Sequence, residues 1–435
     1  MNRRLSAVSA SMLWSFVISL CMCLPSIGLT AGKGPVPGAR TLKAKWTVLI
    51  YMAADNSLHD DAELNLTQAI KIGSRADLNV LAYRATVSAA QGQAKVGQRL
   101  VIYNDGIVIA GQDLQPDSGD VETFTNAVLW AISCYPSEHL AVVVWDHGMG
   151  DLNLVIRALC PERGVCIDDT YHTYLDDAKL MDAFNRIVTA RGGKKLDMVI
   201  FDACMMAGTG TAHIVSQFAD YMVASETIVP GLGYNYETML SAFATGSDDC
   251  RDIAQAIVAS YQAFYAPQIP AYTNSAFNLS AFPELAQNID TVAHLLVEGL
   301  AQQKDGTIQE MIRASHDPQL CVHFDEPSYI DLYSFYTNLL LCLDHVELVD
   351  QEQTEAFRRV MQETLEDGQR AIFHAIFSNV YGDAFQGAGG VSIYFPVEGA
   401  DIHASYPATE FGKHNFWLQF LQMYKSMPNQ APQVV

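Results

Sequence analysis

The chain has 435 residues, half of them apolar, and a formal net charge of −22. That length can bury a large core, in one elaborated domain or two or so. An acidic surface of this kind repels phosphates and argues against a nucleic-acid partner.

In chain order, the first segment pairs Arg3 and Arg4 with an apolar run from about Met12 to Leu24, followed by the small residues Gly28 and Ala31. The run is shorter than the ~20 residues a membrane span needs, so residues 1–31 read as a signal peptide and the protein as exported, periplasmic or secreted. No later segment is apolar enough to span, and no membrane span is expected in the mature chain. Residues 32–44, rich in Gly and Pro, read as a linker.

The run Trp46 to Met52 predicts a buried strand, with Ser57 placed to cap a helix reaching about Gly73. A second strand follows in "DLNVLAYRATV", then a hairpin around Asn104-Asp105-Gly106. A helix from about Gly119 to Tyr135 leads into the strand Leu140 to Trp145, which ends in Asp146, His147 and Gly148. An irregular or hairpin-containing segment and an amphipathic helix, "DDAKLMDAFNRIVTA", precede the strand Met198 to Phe201, which ends in Asp202, Ala203 and Cys204. A helix over "GTGTAHIVSQF" and a strand over "ADYMVASE" complete the pattern. Near-continuous apolar strands alternating with helices predict a parallel sheet covered on both faces, with ligands beyond the strands' carboxyl ends. The core of this α/β pattern is placed at 45–283. From 284 to 427 helices dominate, one of them running through "EQTEAFRRVMQETLEDGQRAIFHAIF". One strand-like run, "GGVSIYFP", is expected to join the main sheet or a small side sheet. Residues 428–435 are expected to be a disordered tail.

Of nine cysteines, two lie in the signal segment and seven remain, so an oxidising compartment leaves at least one thiol unpaired. Cys160 and Cys166 flank an expected loop and are candidates to pair, but sequence does not decide pairing. No cysteine or histidine cluster has zinc spacing, and no metal or cofactor is expected.

Two successive core strands thus deliver His147 and Cys204 to one sheet edge. A thiol attacks a carbonyl as the thiolate, and a nearby imidazole supplies the base. The backbone N–H groups of Gly148 and Cys204 are placed to form an oxyanion hole. From residues alone, a cysteine after a strand is equally at home in a core, and a histidine at a strand end is commonly a loop residue. A third reading takes Asp55, Asp146 and His147 as metal ligands of a hydrolase.

"WDHGMG" and "FDACMM" together resemble the His-Gly and Asp-Ala-Cys motifs of the clostripain family of cysteine peptidases, in the caspase-like clan. "WTVLIYMAADNSL", "VCIDDTYHTYLDDAKL", "VASETIVPGLGYNYETML", "AYTNSAFNLS" and "GGVSIYFP" extend the resemblance from about Trp46 to Pro396. It implies an α/β fold, a caspase-like αβα sandwich with a mainly parallel central sheet plus a mostly helical C-terminal region. It also implies a His147–Cys204 dyad cutting peptide or protein substrates after Arg or Lys, with Asp202 in the S1 pocket. Ser225 and Glu226, at the end of the next strand, are expected as pocket walls. Relatives are often zymogens cut between the His and Cys strands, which makes Arg157 and Arg163 autoprocessing candidates. Some relatives need calcium, for which Asp168, Asp169, Asp176 and Asp177 are the candidate cluster. A monomer is expected. The competing reading is a catalytically silent fold that binds peptides or another protein.

Overall fold

The computed structural model describes residues 42–88, 94–150 and 164–428. The segment read as a signal peptide, most of the expected linker, Cys160, Arg157, Arg163 and the tail from residue 429 lie outside them.

Its strands are β1 (Ala44–Ala53), β2 (Leu78–Ser88), β3 (Ala94–Tyr103), β4 (Gly106–Leu114), β5 (Ser137–Trp145), β6 (Val165–Asp168), β7 (Thr173–Leu175), β8 (Leu196–Asp202), β9 (Ala219–Ala224), β10 (Thr273–Asn278), β11 (Tyr329–Asp331), β12 (Ile376–Tyr381) and β13 (Ser392–Tyr394). Nine form the main sheet, in the order β12-β10-β9-β8-β5-β1-β2-β3-β4. The five central strands, β2, β1, β5, β8 and β9, pair in parallel. β3 and β4 on one side, and β10 and β12 on the other, are antiparallel additions. All seven residues of β8 are buried, as expected of a strand covered on both faces.

The chain leaves β1 toward β2 on one side and returns through β5 on the other. The sheet therefore switches direction at β1, where ligands of such sheets collect at the carboxyl ends. The helices divide accordingly. Ala62 and Leu66 of the helix His59–Ile70 pack on one face with Met239 and Leu240 of Tyr236–Phe243 and Ile257 of Cys250–Tyr265. Phe124 of Val121–Cys134, Phe184 of Asp177–Ala190 and Ala212 of Thr209–Val215 pack on the other.

The second face also receives the helices after residue 282. Leu296 of Phe282–Gln302, Leu365 of Gln351–Ala375 and Trp417 of Trp417–Ser426 share one buried cluster with Phe201 and Met222 of the sheet. Two expectations change here. "GGVSIYFP" supplies β13, which pairs with β11 in a small side sheet. The helix expected to run through Phe377 stops at Ala375, and the chain continues as β12 at the edge of the main sheet. The segment after His147 contains the β6–β7 hairpin.

A buried ion triad holds the corner beneath β1, β3 and β6. Lys95 lies 2.7 Å from Asp55 and also pairs with Asp168, and all three side chains are buried. Ser118 donates to Asp168 through its N–H (2.7 Å) and its hydroxyl (2.8 Å). The ammonium sits 4.6 Å from the centre of the Tyr171 ring. Removing the one cation strands two buried carboxylates. Lys95→Ala is therefore expected to lose about 3–5 kcal/mol of unfolding free energy, measured by denaturant titration. A loss below about 1 kcal/mol would mean that the triad behaves as an exposed pair.

Candidate active site

β5 and β8 pair in register, with Trp145 opposite Asp202, and the Asp146 N–H donates to the Asp202 carbonyl at 3.1 Å. His147 and Cys204 each stand two residues beyond this last rung, on adjacent strands at one sheet edge. Gly148 lets the two loops meet. A Cβ there would lie 2.4 Å from the Cys204 carbonyl oxygen and 2.7 Å from its nitrogen, so no side chain fits. Among the described residues, no backbone carbonyl takes up the Cys204 N–H.

Cys204 sits at a sharp turn. Met205, which follows it, is buried at φ +58°, a conformation that costs a non-glycine residue about 1–3 kcal/mol. Its N–H is fixed to the Thr227 carbonyl at 3.0 Å. The Cys204 sulfur is enclosed by one residue of the loop after β9. The Val229 N–H donates to Sγ at 3.3 Å, and the thiol donates to the Val229 carbonyl at 3.7 Å. Burial pushes the thiol up to about 11, against the pull of the Val229 and Gly148 N–H donors. The resting thiol is therefore protonated, and attack needs a base.

The imidazole of His147 is held by a residue expected elsewhere. His147 Nε2 lies 2.9 Å from Ser57 Oγ. Ser57 does not cap the helix His59–Ile70, whose N-cap is Leu58 with no side-chain bond; Asn56 Oδ1 instead accepts the Leu58 N–H at 3.0 Å. Asn56 also donates to Asp146 Oδ1 at 2.6 Å and to the carbonyls of Ala53 and Ile167, tying the end of β1 to the residue before His147. Ser57 thus fixes the ring through Nε2, and which of the two groups donates follows from the imidazole tautomer. Burial lowers the His147 pKa, and the nearby Asp169 carboxylate works against that, so the imidazole rests neutral. Among the described residues, no hydrogen bond joins His147 to Cys204, a looseness common before substrate binds.

Asp202 is buried, with Oδ2 accepting from the Tyr236 hydroxyl (2.9 Å) and the Tyr234 N–H (3.3 Å). No lysine or arginine among the described residues pairs with it. Burial raises its pKa to about 7, over the opposing pull of Tyr236 and Tyr234, with help from the Asp61 charge. Ser225 and Glu226 are not pocket walls. Both are fully buried; Ser225 Oγ bonds Thr273 Oγ1 at 3.0 Å, and Glu226 faces Asp331, which helps to keep its carboxyl protonated. The chain turns inward where the β9 ladder ends, and spacing along the sequence does not reveal that.

The metal readings find other occupations. Asp55 faces Lys95, and Asp146 is held by Asn56 and the Ile167 N–H, so neither converges with His147 on a metal position. Of the four acidic residues weighed for calcium, Asp168 holds Lys95 and Asp176 caps a helix through the Lys179 N–H. Asp177 accepts the Glu410 N–H, while Asp169 faces His147. One group with metal-ligand chemistry does occur among the described residues, at the opposite end of the sheet, where His139, Asp197 and Cys250 place ligand atoms within 4.8 Å of one another. Asp197 is already taken up there by the Leu140 N–H, His139, Arg191 and Lys194. The described cysteines form no disulfide, and the proposed partner of Cys166 lies outside the described residues.

Ser57→Ala is expected to lower kcat by on the order of 10- to 100-fold with little change in KM, because the imidazole loses its orientation while the pocket is intact. The check is steady-state kinetics across pH, in which the limb belonging to His147 must move. An unmoved pH profile with unchanged kcat would show that Ser57 does not position the base.

The clostripain family profile (peptidase C11) matches residues 50–423. Among solved structures, the chain is similar to a secreted C11 cysteine protease from Bacteroides thetaiotaomicron bound to an irreversible peptide inhibitor, at 20% identity and TM-score 0.60, covering 85% of this chain and 98% of that one. It is also similar to an inactive zymogen C11 protease from Parabacteroides distasonis, at 20% identity and TM-score 0.59, covering 88% and 99%. A further secreted C11 cysteine protease from Bacteroides thetaiotaomicron, "iotapain", matches at 13% identity and TM-score 0.59, covering 86% and 100%. At these identities the structural likeness speaks for the fold. No curated protein matches the sequence. The family match spans most of the chain, over a caspase-like αβα sandwich that brings a histidine and a cysteine to one sheet edge: the chain belongs to the clostripain family of cysteine peptidases.

Proposed function

We propose that this protein is an exported cysteine endopeptidase that cleaves after Arg or Lys and is made as a zymogen that cuts itself between the His147 and Cys204 strands. The observation that carries the reading is Asp202, a buried carboxylate two residues before the nucleophile with no basic partner among the described residues. A buried charge of this kind is costly unless paired, and a cationic P1 side chain supplies the pair.

In the reaction, His147 removes the Cys204 proton as the sulfur attacks the scissile carbonyl. The oxyanion is met by the Gly148 and Cys204 N–H groups, and His147 then gives the proton to the leaving amine. Water, deprotonated by the same imidazole, hydrolyses the thioester and restores the thiol. Enclosure of the sulfur by Val229, with His147 engaged by Ser57, supports a resting zymogen. The Bacteroides relative is described as secreted and the Parabacteroides relative as an inactive zymogen. Both fit the signal-like segment at 1–31 and the candidate cleavage sites Arg157 and Arg163 here.

Matched fluorogenic peptides with Arg, Lys, Asp or Leu at P1 test the specificity. Cleavage after Arg or Lys is expected to vanish in Cys204→Ala and to fall roughly 100-fold in Asp202→Asn. Equal cleavage of the Leu peptide would overturn the basic-P1 reading. Because only the ionised carboxylate pairs with the cation, kcat/KM for these peptides should rise as pH passes about 7, the value to which burial lifts Asp202. That limb should be missing in Asp202→Asn. Self-cleavage is read by intact mass. Wild type should resolve into two pieces cut after Arg157 or Arg163 while Cys204→Ala stays whole, and identical single-chain masses would exclude it.

A further inference from the structure

The loop after β9 makes a turn at Pro230–Gly233, closed by the Gly233 N–H to the Pro230 carbonyl at 2.8 Å. It begins one residue after Val229, which holds the nucleophile. Two aspartates face this turn. A Cβ at Gly233, where φ is +61°, would stand 2.6 Å from Asp202 Oδ2, so only glycine lets the turn approach that carboxylate. A Cβ at Gly231 would stand 3.9 Å from Oδ2 of Asp61, on the first turn of the helix His59–Ile70. That helix packs on the same face of the sheet as Tyr234 and Tyr236, the residues that bind Asp202. The turn is pinned from both flanks, by Asn65 Nδ2 to the Leu232 carbonyl (3.2 Å) and by the Tyr265 hydroxyl to the Gly233 carbonyl (2.6 Å).

Neither carboxylate has a basic partner among the described residues, although most basic side chains around the sheet are paired. On the same helix Glu63 takes Arg84, and Lys71 takes Glu237 across to the next helix. Asp202 Oδ1 accepts no hydrogen bond from the described residues, within a side chain that is 4% exposed. We propose that Asp61 is a second anionic wall of the specificity pocket and selects arginine over lysine, gripping one edge of the guanidinium while Asp202 grips the other. A guanidinium carries five donors in a rigid plane and can satisfy two carboxylates at once. An ammonium is a point charge that pairs with the deeper one alone. The charges support this arrangement. Burial and then the Asp60 charge raise Asp61, and the Asp61 charge contributes to raising Asp202, a repulsion that one shared cation relieves. The other titratable groups facing Asp202 are Tyr234, Tyr236, Tyr261, Tyr265 and the Cys204 thiol, each raised by burial and neutral at neutral pH.

This inference rests on the basic-P1 reading and fails separately from it. The experiment measures kcat/KM for matched Arg and Lys peptides with wild type, Asp61→Asn, Asp61→Glu and Asp202→Asn, with melting temperatures to confirm folding. Wild type should prefer Arg. Asp61→Asn should lose roughly tenfold on Arg and little on Lys, with its acid limb moved to lower pH, and Asp61→Glu should recover part of the preference. Asp202→Asn should lose both substrates. An Arg:Lys ratio unchanged in Asp61→Asn, or a wild type that prefers Lys, overturns the role of Asp61 and leaves the basic-P1 reading standing. A wild type that cleaves neither peptide overturns both.

Discussion

The parallel pairing of β5 with β8 is the constraint on which the site depends. Its register places Trp145 against Asp202, so two residues later each strand releases a reactive group at the same height. A slip of one residue would turn Cys204 to the opposite face of the sheet. β8 is buried along its whole length and β5 from Leu140 to Trp145, so packing on both faces holds the pair in place. Gly148 then closes the distance. Its missing side chain lets the histidine loop rest on the backbone of the cysteine loop.

Around that edge the chain spends polar groups on position rather than on surface. Asn56, Asp146 and Ser57 link the end of β1 to the imidazole, while Lys95, Asp55 and Asp168 fix the corner beneath. The thiol is kept neutral and enclosed by Val229, and Met205 holds the turn behind it in a strained conformation. The loop that encloses the sulfur at Val229 continues into the turn beside Asp202 and Asp61.

Much of this is legible in the sequence because buried parallel strands read as unbroken apolar runs, and both β5 and β8 end in chemistry-bearing residues. What escapes has physical reasons. β12 follows a helix whose apolar pattern runs on through Ile376 and Phe377, and nothing local marks the change of period. Ser57 has the sequence signature of a helix cap, yet the closer claim on its hydroxyl comes from His147, 90 residues away. Ser225 and Glu226 sit at a strand end as pocket residues would, but the chain buries them against Thr273 and Asp331. Asp61 lies far from the motifs in sequence, and only the packing of its helix brings it beside the Pro230–Gly233 turn.

The central claim, that Cys204 served by His147 is the nucleophile, is tested most directly by covalent labelling. The protein would be treated with an irreversible peptide ketone carrying Arg at P1, digested, and mapped by mass spectrometry, alongside His147→Ala. Cys250 is the internal competitor, since it too lies beside a histidine, His139, at the far end of the sheet. The account predicts one adduct, on Cys204, greatly slowed in His147→Ala. An adduct on Cys250, or labelling of Cys204 that ignores the loss of His147, would contradict it.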